Sequence, residues 1–506
     1  MATRFARNTI FSTVAGICYS LGAFVTSIAV ARILGVQGAG IVALAIWIVT
    51  LTVALTDFGV FASLTRFLPE LTHEGDRQQA LQLTSFLFRL FALATVVPLS
   101  VYALLSFWPA LGPAASYVFG RDGEPLLWML IGSVCLTQSL GTFMQGYWRG
   151  MQQFDRAAYI LMASVSFQLI AVTAGSILFG VAGALGGLIC GSIVPALSCF
   201  TVGQRQHLIS HELRRRVVRY AVYCWVGSLA STFVWSRVEL AFLNHYFGSE
   251  PVGLFSVGLT LATMATQGPM LLTGGLLVYL SENFGKKNFQ AIRDATTTGT
   301  RILAFMVLPM CFGTAAVLPE LLPLIYGQAF NSAVPAAIVL VASAALGASA
   351  AVASNVVLAC ERSDFFALCG LVGIVLAMLL GFVVIPYFGI MGAAWGRAFV
   401  QLTTVVIGFW FVERRLGCPL PYKHLARLAV AALLCAGVAR VGITVMPGVF
   451  GLIASIIVGA IVYFGAVRLL HALPQEDVDR LYSLTSPLSD NFRRTLDSTW
   501  QRLRPR

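Results

Sequence analysis

The sequence predicts an all-α, polytopic membrane protein built from two parallel six-helix repeats plus two C-terminal helices, and three observations predict it. Hydrophobic residues supply 58% of the chain and charged ones only 11%, against about 25% charged in an average soluble domain. Apolar runs near 20 residues recur throughout, and a helix of that length spans a bilayer. Barrel strands are the poorer account, because they show short segments of dyad alternation and these runs are continuous. The third observation is a duplication. Gly35 and Gly40 are matched by Gly248 and Gly253 at an offset of 213 residues. Phe67-Leu-Pro-Glu70 is matched by Tyr279-Leu-Ser-Glu282, and Arg89 by Arg301, at 212. Asp155 is matched by Asp364, and Phe179-Gly-Val-Ala-Gly-Ala184 by Phe388-Gly-Ile-Met-Gly-Ala393, at 209. Single matches of Gly and Ala mean little here; their common order and slow drift mark a repeated unit of about 210 residues.

About 14 spans are expected, near 10–31, 39–60, 81–107, 126–148, 157–179, 182–203, 220–244, 252–280, 297–320, 335–359, 365–385, 391–412, 427–446 and 449–470. They group into an N-terminal six-helix lobe (1–204), a basic linker (205–219), a C-terminal six-helix lobe (220–413), helices 13 and 14 (427–470) and a polar tail (471–506). A cleavable signal peptide is the rival reading of the first segment. Its apolar run is too long for that, and a second span follows at once. Because six is even, the second copy re-enters the membrane with the orientation of the first. Parallel repeats of this kind enclose a substrate path at their interface.

The basic residues set the expected orientation. With both termini cytoplasmic, the inner loops hold Arg66, Arg77, Arg149, Arg156, the 205–219 cluster, Lys286, Lys287, Arg293, Arg362, Arg414, Arg415, Lys423 and Arg427. The outer loops keep little beyond Arg32 and Arg121. This is the positive-inside pattern, and it accounts for the net charge of +12. Nucleic-acid binding is the competing account of a basic chain, but these charges are dispersed over many loops rather than gathered on one face.

The runs Ala31-Arg-Ile-Leu-Gly35, Asp57-Phe-Gly-Val60, Arg66-Phe-Leu-Pro-Glu70 and Gly146-Tyr-Trp-Arg-Gly150 resemble the polysaccharide-type flippases, of the superfamily that also holds the MATE exporters and the lipid II flippases. So do Arg237-Val-Glu239, Val252-Gly-Leu-Phe255 and Leu280-Ser-Glu282, with Glu239 standing where Asp is commoner and Phe255 where Tyr is. The resemblance spans roughly residues 8–415. It implies a MATE-like fold in a bacterial inner membrane, and a flippase moving undecaprenyl-pyrophosphate-linked oligosaccharide from the cytoplasmic to the periplasmic leaflet by alternating access, for cell-surface polysaccharide synthesis. The expected partners are that lipid-linked oligosaccharide and membrane lipids, with a polysaccharide polymerase and glycosyltransferases as further candidates. No cofactor is called for. A proton or sodium gradient, the membrane potential and downhill consumption of product all remain open as drivers.

A sugar–pyrophosphate head is polar and anionic and does not cross hydrocarbon unaided. Intramembrane arginines are therefore the first residues to consider, being costly in lipid and well matched to phosphate oxygens. Arg89 and its repeat mate Arg301 are the leading substrate-binding candidates, with snorkelling to the headgroups as the plain alternative. Arg237 and Glu239 follow as cavity candidates. Residues two apart do not share a helix face, so each is expected to meet another helix or the cavity. Asp57, Arg66 and Arg149 are gate or loop-anchor candidates, with capping or a loop contact as the alternative.

Other chemistry is not supported. His207-Leu-Ile-Ser-His211 lacks the Glu that a zincin needs after its first His, so no metal site is expected. The ten Cys are scattered singly without a Cys-x-x-Cys pair and read as small buried hydrophobes. No Gly-x-x-x-x-Gly-Lys-Ser/Thr loop for nucleotide hydrolysis occurs, nor the Gly-x-x-x-Asp-Arg-x-Gly-Arg motif of twelve-helix sugar facilitators. A multidrug cation antiporter of the same fold is the alternative function; it would favour cavity carboxylates, whereas the mid-span charges here are mostly Arg. A membrane glycan enzyme is a third reading, but the longest outer loop, near 108–125, offers only Arg121, Asp122 and Glu124. No enzyme activity is expected.

Overall fold

The structure is a computed structural model that describes residues 2–73, 77–107, 125–201, 210–235, 237–273 and 275–479. Arg121, Asp122, His207, part of the basic linker and the tail beyond 479 lie outside the described residues, as do the side chains of Arg4, Arg7 and Arg77.

The described chain is helical, without strands. Its first half holds α1 (Ala2–Thr56), α2 (Val60–His73), α3 (Arg77–Phe107), α4 (Pro125–Gly150), α5 (Phe154–Leu197), α6 (His211–Trp235), α7 (Glu239–Phe247) and α8 (Ser249–Met270). The second half holds α9 (Leu276–Gly285), α10 (Phe289–Tyr326), α11 (Val334–Ser349), α12 (Ala351–Ala359), α13 (Ser363–Val383), α14 (Ile385–Arg414), α15 (Tyr422–Val445) and α16 (Val449–Leu469). Lipid offers backbone groups no partner, and helices satisfy their own.

Among the described residues, ten helices are long and apolar enough to cross a membrane. Two of them, α1 and α5, each carry two of the expected spans, joined at Gly35 and Gly180. The expected spans at 220–244 and 252–280 are not continuous. The chain leaves helical geometry at Arg237 between α6 and α7, and α8 runs past Pro269 into a 3-10 turn at Leu271–Thr273. A proline inside a helix removes a backbone bond and crowds the preceding turn. The ten long helices therefore do not map one to one onto the expected spans.

The repeat reappears in backbone angles. Gly35 (φ 68°, ψ −169°) and its mate Gly248 (φ 83°, ψ −167°) share one conformation. Gly180 (φ 60°, ψ −135°) and Gly389 (φ 54°, ψ −130°) share another. Positive φ with extended ψ is open almost only to glycine, so these matched glycines are required by geometry.

The chain divides into two compact units, Met1–Ser256 and Val257–Arg506. In the first, α1 packs along α5, and α4 against α5, α3 and α2. Val60, Leu64, Leu83, Leu87, Phe143 and Trp148 form one buried cluster. The α6 helix packs in this unit as well: Gly59 lies against the backbone of Ala221, and the Trp225 indole N–H donates to the carbonyls of Ala54 (3.2 Å) and Leu55 (3.1 Å). The two matched corners also meet within the unit: Gly40 faces the Ser249 carbonyl while Gly253 faces the Val36 carbonyl. A Cβ on either would overlap backbone.

In the second unit α10 packs on α15 and α11, α11 on α14, α13 on α14 and α15 on α16. The Tyr463 hydroxyl of α16 donates to the Phe305 carbonyl of α10 at 2.7 Å. On α13, Leu368, Leu371, Val375, Leu379 and Phe382 form a stripe in which every residue is more than half exposed. A continuous apolar helix face of this kind is a liability in water and neutral in lipid.

Gly40→Ala should lower the thermal stability of the detergent-solubilised protein by roughly 1–3 kcal/mol, the range for overpacking. Gly313→Ala, which meets open space, should leave the melting temperature unchanged or slightly raised, as expected from helix propensity.

Candidate functional site

Asp57 follows α1 directly and starts the turn into α2. Its carboxylate accepts the N–H groups of Gly59 and Phe61, both at 3.1 Å, so it caps α2, which carries no acidic residue in its first turn. Burial holds the Asp57 carboxyl above the usual carboxylate range, and the N–H groups of Phe61 and Gly59 draw it back down. The Phe61 ring then lies 5.5 Å beneath the Arg149 guanidinium, a cation–π contact. Asp57 and Arg149, far apart in sequence, thus meet through Phe61.

The Gly146-Tyr-Trp-Arg-Gly150 run explains how α4 comes so close. Gly146 faces Phe61 and Leu64, and Gly150 faces the Leu64 carbonyl, leaving no room for side chains. Trp148 points into the buried cluster at 1% exposure, which turns Arg149 the other way. Arg149 lines a cavity of about 390 Å³ between α1, α4 and α5, together with Tyr19, Thr142, Gln145 and Phe154. One guanidinium, one phenol, one hydroxyl and one carboxamide face this space, and among the described residues no carboxylate does. Tyr19, Thr142 and Gln145 were not singled out in the sequence. The spacing of Thr142, Gln145 and Arg149 along one helical face was the available signal.

The other candidates are not gathered there. Arg66 is exposed and lies 5.9 Å from both the Phe67 and Tyr220 rings. Its neighbour Arg216 reaches Glu70 at 3.0 Å. Arg89 is exposed on α3 and lines none of the described cavities. Arg237 is half-buried in the break between α6 and α7, Glu239 is 8% exposed in the first turn of α7, and both are engaged with other groups.

Arg301, the repeat mate of Arg89, is in a different setting. Its guanidinium makes a two-pronged pair with Asp477, at 2.6 and 3.2 Å, and also donates to the Thr298 hydroxyl at 3.3 Å. Arg301 is 14% exposed and Asp477 1%. The segment that delivers Asp477 is fastened at both ends. The His471 carbonyl accepts from Arg427 and the Ala472 carbonyl lies 3.0 Å from His424, while Leu473 and Val478 are buried. The start of the tail, expected to be a polar appendage, is part of the packed second unit.

The profile of the polysaccharide biosynthesis protein family matches residues 5–284. The chain belongs to that family. The matched region contains Asp57, Arg66, Arg89, Arg149, Arg237 and Glu239, together with the whole cavity lining, and it stops before Arg301. A curated relative of this polysaccharide biosynthesis protein, the probable low-salt glycan biosynthesis flippase Agl15 of Haloferax volcanii, is 21% identical over 257 residues, covering 50% of this chain and 54% of that protein. The chain thus spans about half the length of this relative. Among solved structures, the lipid II flippase MurJ in an inward closed conformation superposes with a TM-score of 0.72 at 13% identity, covering 91% of this chain and 98% of that one. An inward-facing MATE family multidrug resistance transporter superposes at 0.64 and 13% identity, covering 79% and 94%. At these identities the likeness establishes the fold: this family member has the MurJ/MATE architecture.

Two stability outcomes follow for the charged residues. Asp477→Ala, which leaves the Arg301 guanidinium enclosed without its partner, should cost roughly 3–5 kcal/mol, while the paired replacement Arg301→Met with Asp477→Leu should recover most of it. Asp57→Ala should cost about 1 kcal/mol through the lost cap, and Asp57→Asn much less because its amide oxygen still accepts. Thermal melts of the purified variants measure both.

Proposed function

We propose that this chain is a flippase for lipid-linked oligosaccharide, moving an undecaprenyl-pyrophosphate-linked glycan from the cytoplasmic to the periplasmic leaflet of a bacterial inner membrane. Membership of the polysaccharide biosynthesis family supports this reading, and so do the MurJ-like fold over 91% of the chain and the naming of a relative as a glycan biosynthesis flippase. The observation that carries it at the level of residues is the cavity lined by Arg149, Tyr19, Thr142 and Gln145, with no carboxylate among its described lining residues. It offers a guanidinium fork and neutral hydrogen-bonding groups, the chemistry that a pyrophosphate and a sugar call for. A multidrug cation antiporter is less well served, since a cationic cargo would meet Arg149 with no carboxylate among the described lining residues.

The mechanism we favour is alternating access of the two repeats, with both termini cytoplasmic and the lipid tail remaining in the bilayer. The head group engages Arg149 first, and Arg89 serves as an exposed second contact near the same leaflet. Arg301 joins only if Asp477 releases it. Arg237 and Glu239 remain candidates for the outer half of the path. Glycosyltransferases that build the lipid-linked glycan and a polymerase that consumes it would be the functional neighbours.

The test uses cells lacking this protein but retaining the early glycosyltransferases. Complete lipid-linked oligosaccharide should accumulate, shielded from a periplasmic probe. Normal exposure of that lipid would refute the flippase reading. In complemented cells Arg149→Gln should cut export about 10- to 100-fold, the worth of one charged hydrogen-bonding contact, and Arg149→Lys should lose less.

A further inference from the structure

The second unit has a basic pocket that the proposed transport path does not use. It lies where the N-terminal end of α10 meets the loop after α14 and the turn before α13, and encloses about 210 Å³. Three arginines line it, Arg293, Arg362 and Arg415, and among the described residues no carboxylate does. Phe284, Phe289 and Leu416 supply an apolar wall.

The arginines are held in different ways. Arg362 is fixed: it pairs with Asp364 through two contacts of 3.1 Å and lies 5.2 Å over the Phe411 ring. That ring is in turn stacked on Phe365 at 3.6 Å. Arg293 and Arg415 make no ion pair or hydrogen bond through their side chains among the described residues. The carboxylates in the adjoining groove are already engaged, Asp294 by the Gln290 amide at 3.1 Å and Glu413 by the Tyr422 hydroxyl at 2.8 Å. The loop carrying Arg415 is tied to both neighbouring helices. Its N–H groups at Arg415, Leu416 and Cys418 donate back to α14, and the Pro419 carbonyl accepts from Thr297 of α10 at 3.0 Å. Two guanidinium forks with no ion pair or hydrogen bond among the described residues therefore line one space beside a third, paired one.

We propose that this pocket binds a phosphate anion, carried either by an anionic lipid headgroup or by a soluble phosphate compound. Arg forks match phosphate oxygens in pairs, and the two open charges balance a group carrying one to two negative charges. The volume exceeds that of several waters, so a phosphate fits with the first atoms of its carrier. The phenylalanine wall suits a carrier with an apolar part. The site is separate from the Arg149 cavity and does not depend on the transport reading.

The test compares full-length wild type, Arg293→Gln/Arg415→Gln, and a control, Lys286→Gln/Lys287→Gln, which removes the same charge from the neighbouring turn outside the pocket. In phosphatidylcholine nanodiscs, inorganic phosphate is titrated against chloride at constant ionic strength and the melting temperature is read. In nanodiscs containing phosphatidylglycerol, native mass spectrometry counts the anionic lipids retained. Wild type and control should respond to at least one probe, and the pocket variant should bind that probe at least about tenfold more weakly, as the loss of two forks implies. A response to phosphate in zwitterionic discs identifies a soluble ligand; a response confined to phosphatidylglycerol identifies a headgroup. If the Gln pair does not fold, Arg293→Lys/Arg415→Lys keeps the charge, loses the forks, and should still bind more weakly than wild type. Equal binding by wild type and the pocket variant, or an equal loss in the control, would overturn the proposal.

Discussion

Every backbone N–H and C=O placed in hydrocarbon must find its partner within the protein, and the rest of this structure depends on that constraint. It is met here by helices, the only regular elements among the described residues, and it makes each change of direction costly. The chain turns between adjacent spans at Gly35 and Gly180 with almost no loop, by a single positive-φ residue inside what is otherwise continuous helix. The second copy repeats the device at Gly248 and Gly389 with nearly the same angles. The same glycines' neighbours, Gly40 and Gly253, let two backbones approach too closely for any side chain. Without a hydrophobic driving force between helices in lipid, such close packing is a main source of cohesion.

A guanidinium within this framework needs either a partner or a polar space, and the chain shows both. Arg301 has Asp477, brought by a segment 176 residues away in sequence. Arg149 has an aromatic ring under it and a cavity before it. The repeat aligns Arg89 with Arg301, but their surroundings differ: Asp477, which pairs with Arg301, comes from beyond the duplicated region, and Arg89 is exposed on α3. Sequence symmetry therefore carries over to backbone geometry more faithfully than to electrostatic environment.

Much of the architecture was legible in the chain itself. Apolar runs, the duplicated glycines and the composition led to an all-helical, two-copy membrane fold, and the resemblance at Asp57-Phe-Gly-Val60 and Gly146-Tyr-Trp-Arg-Gly150 led to the family. The candidate site was less legible. Arg149 was singled out as an anchor, yet its companions Tyr19, Thr142 and Gln145 carry no charge and look ordinary in a linear reading. The capping contact of Asp57 was within reach of a linear reading, because its partners Gly59 and Phe61 are two and four residues away. The break at Arg237 and the short helices around it were also hidden, because hydropathy averages over a window and does not register where a backbone leaves helical geometry.

Local pattern by itself determined the solvent, the helical class, the approximate spans and the repeat, since each rests on the periodicity and length of segments that lipid must cover. Tertiary structure alone decided that α6 joins the first unit, that Asp477 neutralises Arg301, and that Arg149, Tyr19, Thr142 and Gln145 share one space. Those outcomes depend on contacts between residues up to 176 positions apart. Such contacts are set by which helix faces fit together, and no window of sequence contains both partners.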